Sequence, residues 1–212
     1  MRDGTPGSGS GGDHYFTASP SAGSAPRSVR LDLPDLSLTL ATDAGVFSAD
    51  GIDTGSKLLL LTVPPPPPAG HLLDLGCGYG PLALTMATRS PGATVWAVDV
   101  NERARELCAR NAEAAGLDNV RVVAPADVPS DTPFAAIWSN PPIRIGKAAL
   151  HELLSGWLRR LADGAVAHLV VQRHLGADSL SRWLDGEGFT VRRLASRQAY
   201  RVLDVRREDE RP

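Results

Sequence analysis

Two cysteines, Cys77 and Cys108, are all that 212 residues hold. Their separation matches no metal-ligand spacing, and Cys77 lies in a glycine-rich stretch where a crosslink would block the close approach of a ligand. A disulfide framework and a zinc site are thereby excluded as organising devices, and both residues are expected to be free thiols in a reducing compartment. No run reaches the roughly 18 apolar residues of a membrane span, and the N-terminal MRDGTPGSGSGG lacks the hydrophobic segment of a signal peptide. A cytoplasmic protein follows, with neither a membrane nor a metal among its partners. Positive charge is not in excess either, since 22 Lys and Arg stand against 24 Asp and Glu for a net of -2. Nothing draws the whole chain toward nucleic acid, so any such binding needs a local patch. Candidates are Arg27, Arg30, Arg144, Lys147, Arg173 and Arg201, with Arg192, Arg193 and Arg197; taken singly, each reads more simply as part of a solvated face.

What is present is an ordinary globular composition, 42% hydrophobic and 22% charged, with length enough for one domain and a substantial core. His71 to Leu75 is Leu-rich and is followed by Gly76, Gly78 and Gly80, then by Pro81 and the apolar run Leu82 to Met86. A strand, a tight turn and a helix are predicted, with Pro81 in the first helical turn where its missing N–H costs nothing. Position 81 is where the dinucleotide fingerprint has its third glycine, so hydride chemistry on a nicotinamide is the weaker reading. Thr94 to Val98 is a second apolar strand ending in Asp99, at the βαβ distance where a carboxylate accepts the hydroxyls of a ribose. An adenosine is the natural guest. Alternatively Asp99 caps the helix starting near Asn101, a role Asn101 can fill itself.

Phe134 to Trp138 reads as a third kind of strand, buried and stopped abruptly by Ser139-Asn140-Pro141-Pro142. The prolines hold the residues before them extended, which fixes the directions of the Asn140 side chain and the Pro141 carbonyl. Two hydrogen-bond acceptors facing one spot suit an amino group on a planar ring, whose lone pair is poorly nucleophilic until its N–H bonds are held.

LDLGCGYG, VDVN and NPPIR together resemble a class I S-adenosylmethionine-dependent methyltransferase of the N-methylating kind. With HYF at His14 to Phe16, TDAGVFSADGIDTGS at Thr42 to Ser56, VVQ at Val170 to Gln172 and AYRVL at Ala199 to Leu203, the chain is similar to the "methyltransferase small" family that includes the 16S ribosomal RNA guanine-N2 methyltransferases. The resemblance implies an α/β fold, a doubly wound Rossmann-like sheet of seven strands with an antiparallel last strand, plus a small N-terminal β extension. It implies S-adenosyl-L-methionine as cofactor, held by Asp74, Gly76, Cys77, Gly78, Gly80, Asp99, Val100 and Asp127, with Thr54 and Ser56 near its methionine end. It places catalysis at Asn140, Pro141 and Pro142 and substrate contacts at Phe47, Ile143, Arg144 and Gln172. The implied reaction is methylation of an exocyclic base amine in RNA, with guanine N2 of 16S ribosomal RNA foremost and ribosomal RNA or the small ribosomal subunit as partner. Two departures stand out: Ile143 occupies the position where the motif has a stacking aromatic, and the second, degenerate domain copy often found N-terminal in the ribosomal enzymes is not in this sequence. A protein glutamine N5-methyltransferase needs the same Asn-Pro-Pro grip, and a noncatalytic adenosine- or RNA-binding assembly factor is the alternative from another class.

The remaining segments order themselves around these motifs. Residues 1–12 form a Gly/Ser-rich tail expected to be disordered, 13–63 an N-terminal β extension with a cofactor-covering loop and helix, 64–70 a polyproline spacer, 71–207 the main domain and 208–212 a charged tail. Val29 to Leu40 alternates as a strand pair about Pro34-Asp35; Thr42 to Ser56 is a structured loop, either a cover for the site or a packed surface loop anchored by Phe47. Lys57 to Val63, Asn101 to Ala115, Lys147 to Leu161 and Ala177 to Leu184 read as helices, with Asp163-Gly164 as the stop of the third. Val120 to Ala124 and Ala165 to Val171 read as strands, and Phe189 to Leu194 and Tyr200 to Val205 as a closing pair. Asp127 is equally a plain turn former, and Gln172 more simply a strand-end hydrogen bond.

Overall fold

A computed structural model describes residues 23–208. The expected disordered tail at 1–12, the HYF motif and residues 209–212 of the charged tail lie outside the described residues. The Val- and Leu-rich runs become a sheet whose central strands are buried on both faces: β3 (Ala69–Leu75), β4 (Gly92–Val98), β5 (Val120–Val123), β6 (Phe134–Ser139), β7 (Leu161–Gln172), β8 (Phe189–Arg197) and β9 (Tyr200–Arg207). Their order is β5-β4-β3-β6-β7-β9-β8, and β9 runs antiparallel to both its neighbours. β1 (Arg27–Asp32) and β2 (Ser37–Thr42) form a separate antiparallel hairpin. The doubly wound seven-stranded sheet and the small N-terminal β extension are therefore both found.

Alternation along the strands feeds two cores. Leu72, Ala136, Trp138, Val170 and Val202 face α1 (Thr54–Thr62), α2 (Pro81–Arg89), α3 (Glu102–Ala114) and the hairpin, whereas Leu73, Ile137, Leu169, Leu203 and Val205 face α4 (Lys147–Leu158) and α5 (Ala177–Gly186). On the first face a polar row crosses the sheet in register, Trp138 opposite His168 opposite Asp204 opposite Arg192. Burial holds the His168 ring's pKa down, against the attraction of Asp204. It stays neutral near pH 7, and Nδ1 donates to the acceptor-only carboxylate of Asp204 at 2.8 Å.

Several boundaries differ from the sequence reading, each for a local reason. α1 starts at Thr54, three residues earlier than expected, because Asp53 caps it and accepts from the Ser56 N–H. α4 ends at Leu158, and Asp163-Gly164 belongs to β7 instead of closing a helix. Leu161 pairs with Phe134 and Val166 with Ala136, so the residues between them bulge out of the ladder. The closing strands are longer than predicted because the two-residue turn Gln198-Ala199 adopts positive φ (47° and 65°), which lets the ladder continue through Arg197 and Tyr200. The stretch read as a polyproline spacer at 64–70 runs into β3, which already begins at Ala69, and it packs on the domain: Pro66 is buried and its carbonyl accepts from the Ser90 hydroxyl at 3.2 Å.

A buried side chain helps to tie the N-terminal hairpin to the main domain. Asn111 on α3 donates to the carbonyls of Ala41 (2.9 Å) and Tyr79 (2.8 Å) and accepts from the Ala41 N–H (2.7 Å). Replacing it would leave the buried Tyr79 carbonyl and the two part-buried backbone groups of Ala41 without these partners. Asn111→Ala is expected to cost about 2–3 kcal/mol of stability, read as a lower urea midpoint with an unchanged slope.

Candidate active site

The site lies at the C-terminal edge of the parallel strands, at the point where the strand order reverses with β4 on one side of β3 and β6 on the other, the usual ligand position in open α/β sheets. A cavity of about 410 Å³ opens there. Its walls are the glycine loop after β3, the end of β4 from Val98 to Asn101, the corner from Asn140 to Arg144, the covering loop at Val46 to Ser48 with Asp53 and Ser56, and Gln172 with Tyr200.

The glycines divide their work. Gly76 and Gly78 have φ of 79° and 55°, and a Cβ on either would project into open space with nothing within 4 Å. They keep the backbone bare toward the cavity. Gly80 does not line it; a Cβ there would stand 2.5 Å from Leu84 Cδ1 and 2.8 Å from Cys108 Sγ, so this glycine lets the loop settle on α3. The loop is tied to the next strand end, for Gly76 and Cys77 both donate to the Val98 carbonyl (2.8 and 3.0 Å) and Gly78 N–H donates to Asp99 Oδ2 (2.9 Å). Asp99 Oδ1 accepts from Asn101 N–H, while Asn101 itself caps α3, which settles the capping question against Asp99. Burial pushes the Asp99 carboxyl up, against the hydrogen bonds from Asn101 and Gly78. Cys77 and Cys108 are free thiols; the contact with Cys108 and burial raise the Cys77 thiol well above its ordinary value, so it stays neutral.

The second corner is joined to the first. Ser139 Oγ donates to the Leu75 carbonyl at 2.7 Å. Asn140 Nδ2 donates to Asp53 Oδ2 (2.8 Å) and Ser56 Oγ (3.0 Å), which leaves its carbonyl oxygen on the other side of the amide. The Pro141 carbonyl already accepts from Ile143 N–H at 2.9 Å, so one lone pair remains for a ligand. Gln172 Nε2 donates to the Tyr200 hydroxyl at 2.8 Å, a strand-end hydrogen bond at the cavity wall. Phe47, Val100 and Leu175 are large apolar side chains left 43%, 45% and 44% exposed, and all three border the cavity. Exposed apolar groups gathered at one mouth mark a place where a ligand covers them.

Besides Gly80, three named positions fall outside the cavity wall. Thr54 faces outward beside Lys57 in a neighbouring groove, and Asp127 is exposed at the end of a short 3-10 turn. Asp74 lies fully buried beneath the loop, where its Oδ2 accepts from Ala83 N–H at 2.8 Å and so caps α2, whose own cap position is Gly80. Several residues that line or brace the site were not singled out beforehand, among them Asp53, Tyr79, Tyr200 and Leu175. Asp53 carried a signal, a carboxylate just ahead of a helix with serine three residues on. The buried Tyr79 hydroxyl, its pKa raised by burial, donates to the Gly51 carbonyl at 3.1 Å and anchors the covering loop.

Burial pushes the Asp74 carboxyl up to about 8 despite the hydrogen bond from Ala83, and its Oδ1 has no partner among the described residues. In the unfolded chain the group ionises at about 4, so the folded state holds a proton that the unfolded state releases. The stability this contributes is complete at acid pH and lost as pH rises through about 8. Thermal melts taken from about pH 4 to about pH 8 are expected to show that loss in the parent and a flatter profile in Asp74→Asn.

Comparison with known proteins gives a consistent picture. An uncharacterised Bacillus subtilis protein, YbxB, is 33% identical over 198 residues that cover 92% of this chain and 98% of that one. Ribosomal RNA small subunit methyltransferase C of Pseudomonas aeruginosa is 33% identical over 175 residues, 76% of this chain and 52% of that protein. Among solved structures, T. thermophilus 16S rRNA N2 G1207 methyltransferase (RsmC), in complex with AdoMet and guanosine, superposes with a TM-score of 0.75 at 25% identity over 86% of this chain and 51% of that one. The chain thus spans about half the length of the ribosomal RNA methyltransferases it matches and nearly all of the Bacillus protein. Residues 37–204 match the methyltransferase small domain, and with four-fifths of its length inside that match the chain belongs to the methyltransferase small domain family.

Proposed function

We propose that this S-adenosylmethionine-dependent methyltransferase acts on the exocyclic amine of a base in RNA, guanine N2 of 16S ribosomal RNA, in the cytoplasm. The observation that carries the reading is that Asn140 and the bare glycine loop line one cavity from adjacent strand ends. The cofactor fits the residues present: Gly76 and Gly78 leave room that a Cβ would fill, and Asp99 puts a half-buried carboxylate on the wall of the same cavity. S-adenosylmethionine supplies an electrophilic methyl group on a sulfonium. Gly76, Cys77 and Gly78 would hold it through their backbone, with Asp99 on the ribose hydroxyls and Val100 against the adenine.

The chain's own part is positioning. Asn140 Oδ1 accepts one N–H of the target amine, and the free lone pair of the Pro141 carbonyl accepts the other, which turns the nitrogen lone pair toward the reacting carbon. Pro142 keeps the corner rigid, and Ile143 gives the base an apolar contact. Phe47 at the rim of the same cavity offers the aromatic face that Ile143 lacks. The base enters flipped from its stack. The released proton passes to water, so no strong base is required. Among the described residues Arg144 has no ion pair and lines the cavity, whereas Arg27, Arg30, Arg192 and Arg201 are each paired with a carboxylate. Arg144 therefore offers an unpaired cation to a phosphate at the cavity mouth. Guanine N2 and the small-subunit partner rest on the named relatives.

Asn140→Ala is expected to lower methyl transfer to small ribosomal subunits by about 100- to 1,000-fold while calorimetry shows cofactor affinity little changed. Arg144→Ala should weaken RNA binding and reduce its salt dependence by about one phosphate contact. Mapping methylated bases in ribosomal RNA from cells with and without the protein tests the target; label found on protein glutamine and absent from RNA would overturn the substrate, and no cofactor uptake would overturn the reaction.

A further inference from the structure

The Asn140 amide can present its two ends to the cavity in either order, because a half-turn about its last bond exchanges oxygen and nitrogen at almost no change in shape. Only one order is useful to an amine substrate, the one with Oδ1 toward the cavity. Two groups touch the nitrogen end. Ser56 Oγ lies 3.0 Å from Nδ2, but a hydroxyl donates or accepts with equal ease and tolerates both orders. Asp53 Oδ2 lies 2.8 Å away, and a carboxylate only accepts.

We infer that Asp53 is a positioning residue that dictates the orientation of the Asn140 amide, an inference that rests on the amine-methylating role given to Asn140 above. In the reversed order Asn140 Oδ1 would face Asp53 Oδ2, two acceptors at hydrogen-bond distance. In the observed order the bond is charge-assisted, and drawing on the N–H side of the amide makes Oδ1 a stronger acceptor for the target amine. Asp53 is itself fixed, since the same oxygen accepts from the Ser56 N–H at 2.8 Å as the cap of α1. The cap and the orienting contact are thus one atom serving two donors.

That double use suggests how to separate them. Ser caps a helix about as well as Asp, but its hydroxyl sits too close to the backbone to reach Asn140. Asp53→Ser therefore keeps α1 and removes the orienting acceptor. Asp53→Asn keeps both, because the Ser56 N–H holds the new amide's oxygen where Oδ2 was. With tritiated S-adenosylmethionine and small ribosomal subunits from cells lacking the protein, kcat should fall about 10- to 100-fold in Asp53→Ser, with the cofactor's KM and the melting temperature close to the parent's. Asp53→Asn should recover most of the rate, and Ser56→Ala should lose less than Asp53→Ser. An unchanged kcat in Asp53→Ser, or an equal fall in Asp53→Asn, would overturn the inference. A second readout needs no substrate: the Asn140 side-chain amide protons, assigned by their absence in Asn140→Ala, should exchange slowly with solvent in the parent and in Asp53→Asn and faster in Asp53→Ser. Equal exchange in all three sinks the orienting role, whereas protected protons in a parent that methylates nothing would sink the proposed reaction and leave the orientation standing.

Discussion

Leu75 and Ser139 are partners at the ends of two adjacent parallel strands, and the Ser139 hydroxyl closes the join by donating to the Leu75 carbonyl at 2.7 Å. Everything proposed for this chain depends on that register. Gly76 is the next residue on one strand and Asn140 the next on the other, so the two corners leave the sheet side by side. A slip of one residue would turn every side chain of β6 to the opposite face, sending Trp138 from one core into the other. The two hydrophobic layers therefore enforce, at a distance, where the corner amide can stand.

Charge is sorted by depth around the same cavity. Asp53 and Asp99 line its interior, while Arg144 stands exposed at the corner that leads out. A cationic cofactor placed deep and an anionic polymer lying across the mouth would each meet charge of the opposite sign. A small overall charge of -2 conceals this arrangement, because the net value averages over the two regions.

Much of the fold was legible because it is written in local chemistry. The glycine loop, Pro81 at a helix start and the double proline after β6 each allow few backbone conformations, and all three sit where they were expected. Elements whose ends are set by distant partners were not legible. The start of β7 is fixed by Leu161 meeting Phe134 across the sheet, and no residue near Asp163-Gly164 announces it. The same holds for the site. Gly76, Gly78, Asp99 and Asn140 stand out in sequence because each ends a strand, but Asp53 reaches Asn140 across 87 positions, a separation over which spacing carries no signal. Asp74 looked like a ligand contact because it belongs to the motif; its burial shows it holding the loop from beneath, as the missing cap of α2.

The first turn of α1 serves the site as well as the fold, since its cap holds the corner amide and its Gly55 lies so flat on Tyr200 that an added Cβ would come within 2.7 Å of the ring. Helix ends open far more readily than the sheets they rest on. Opening of that one turn would undo the Asp53 contact to the corner amide without requiring the sheet or either core to open.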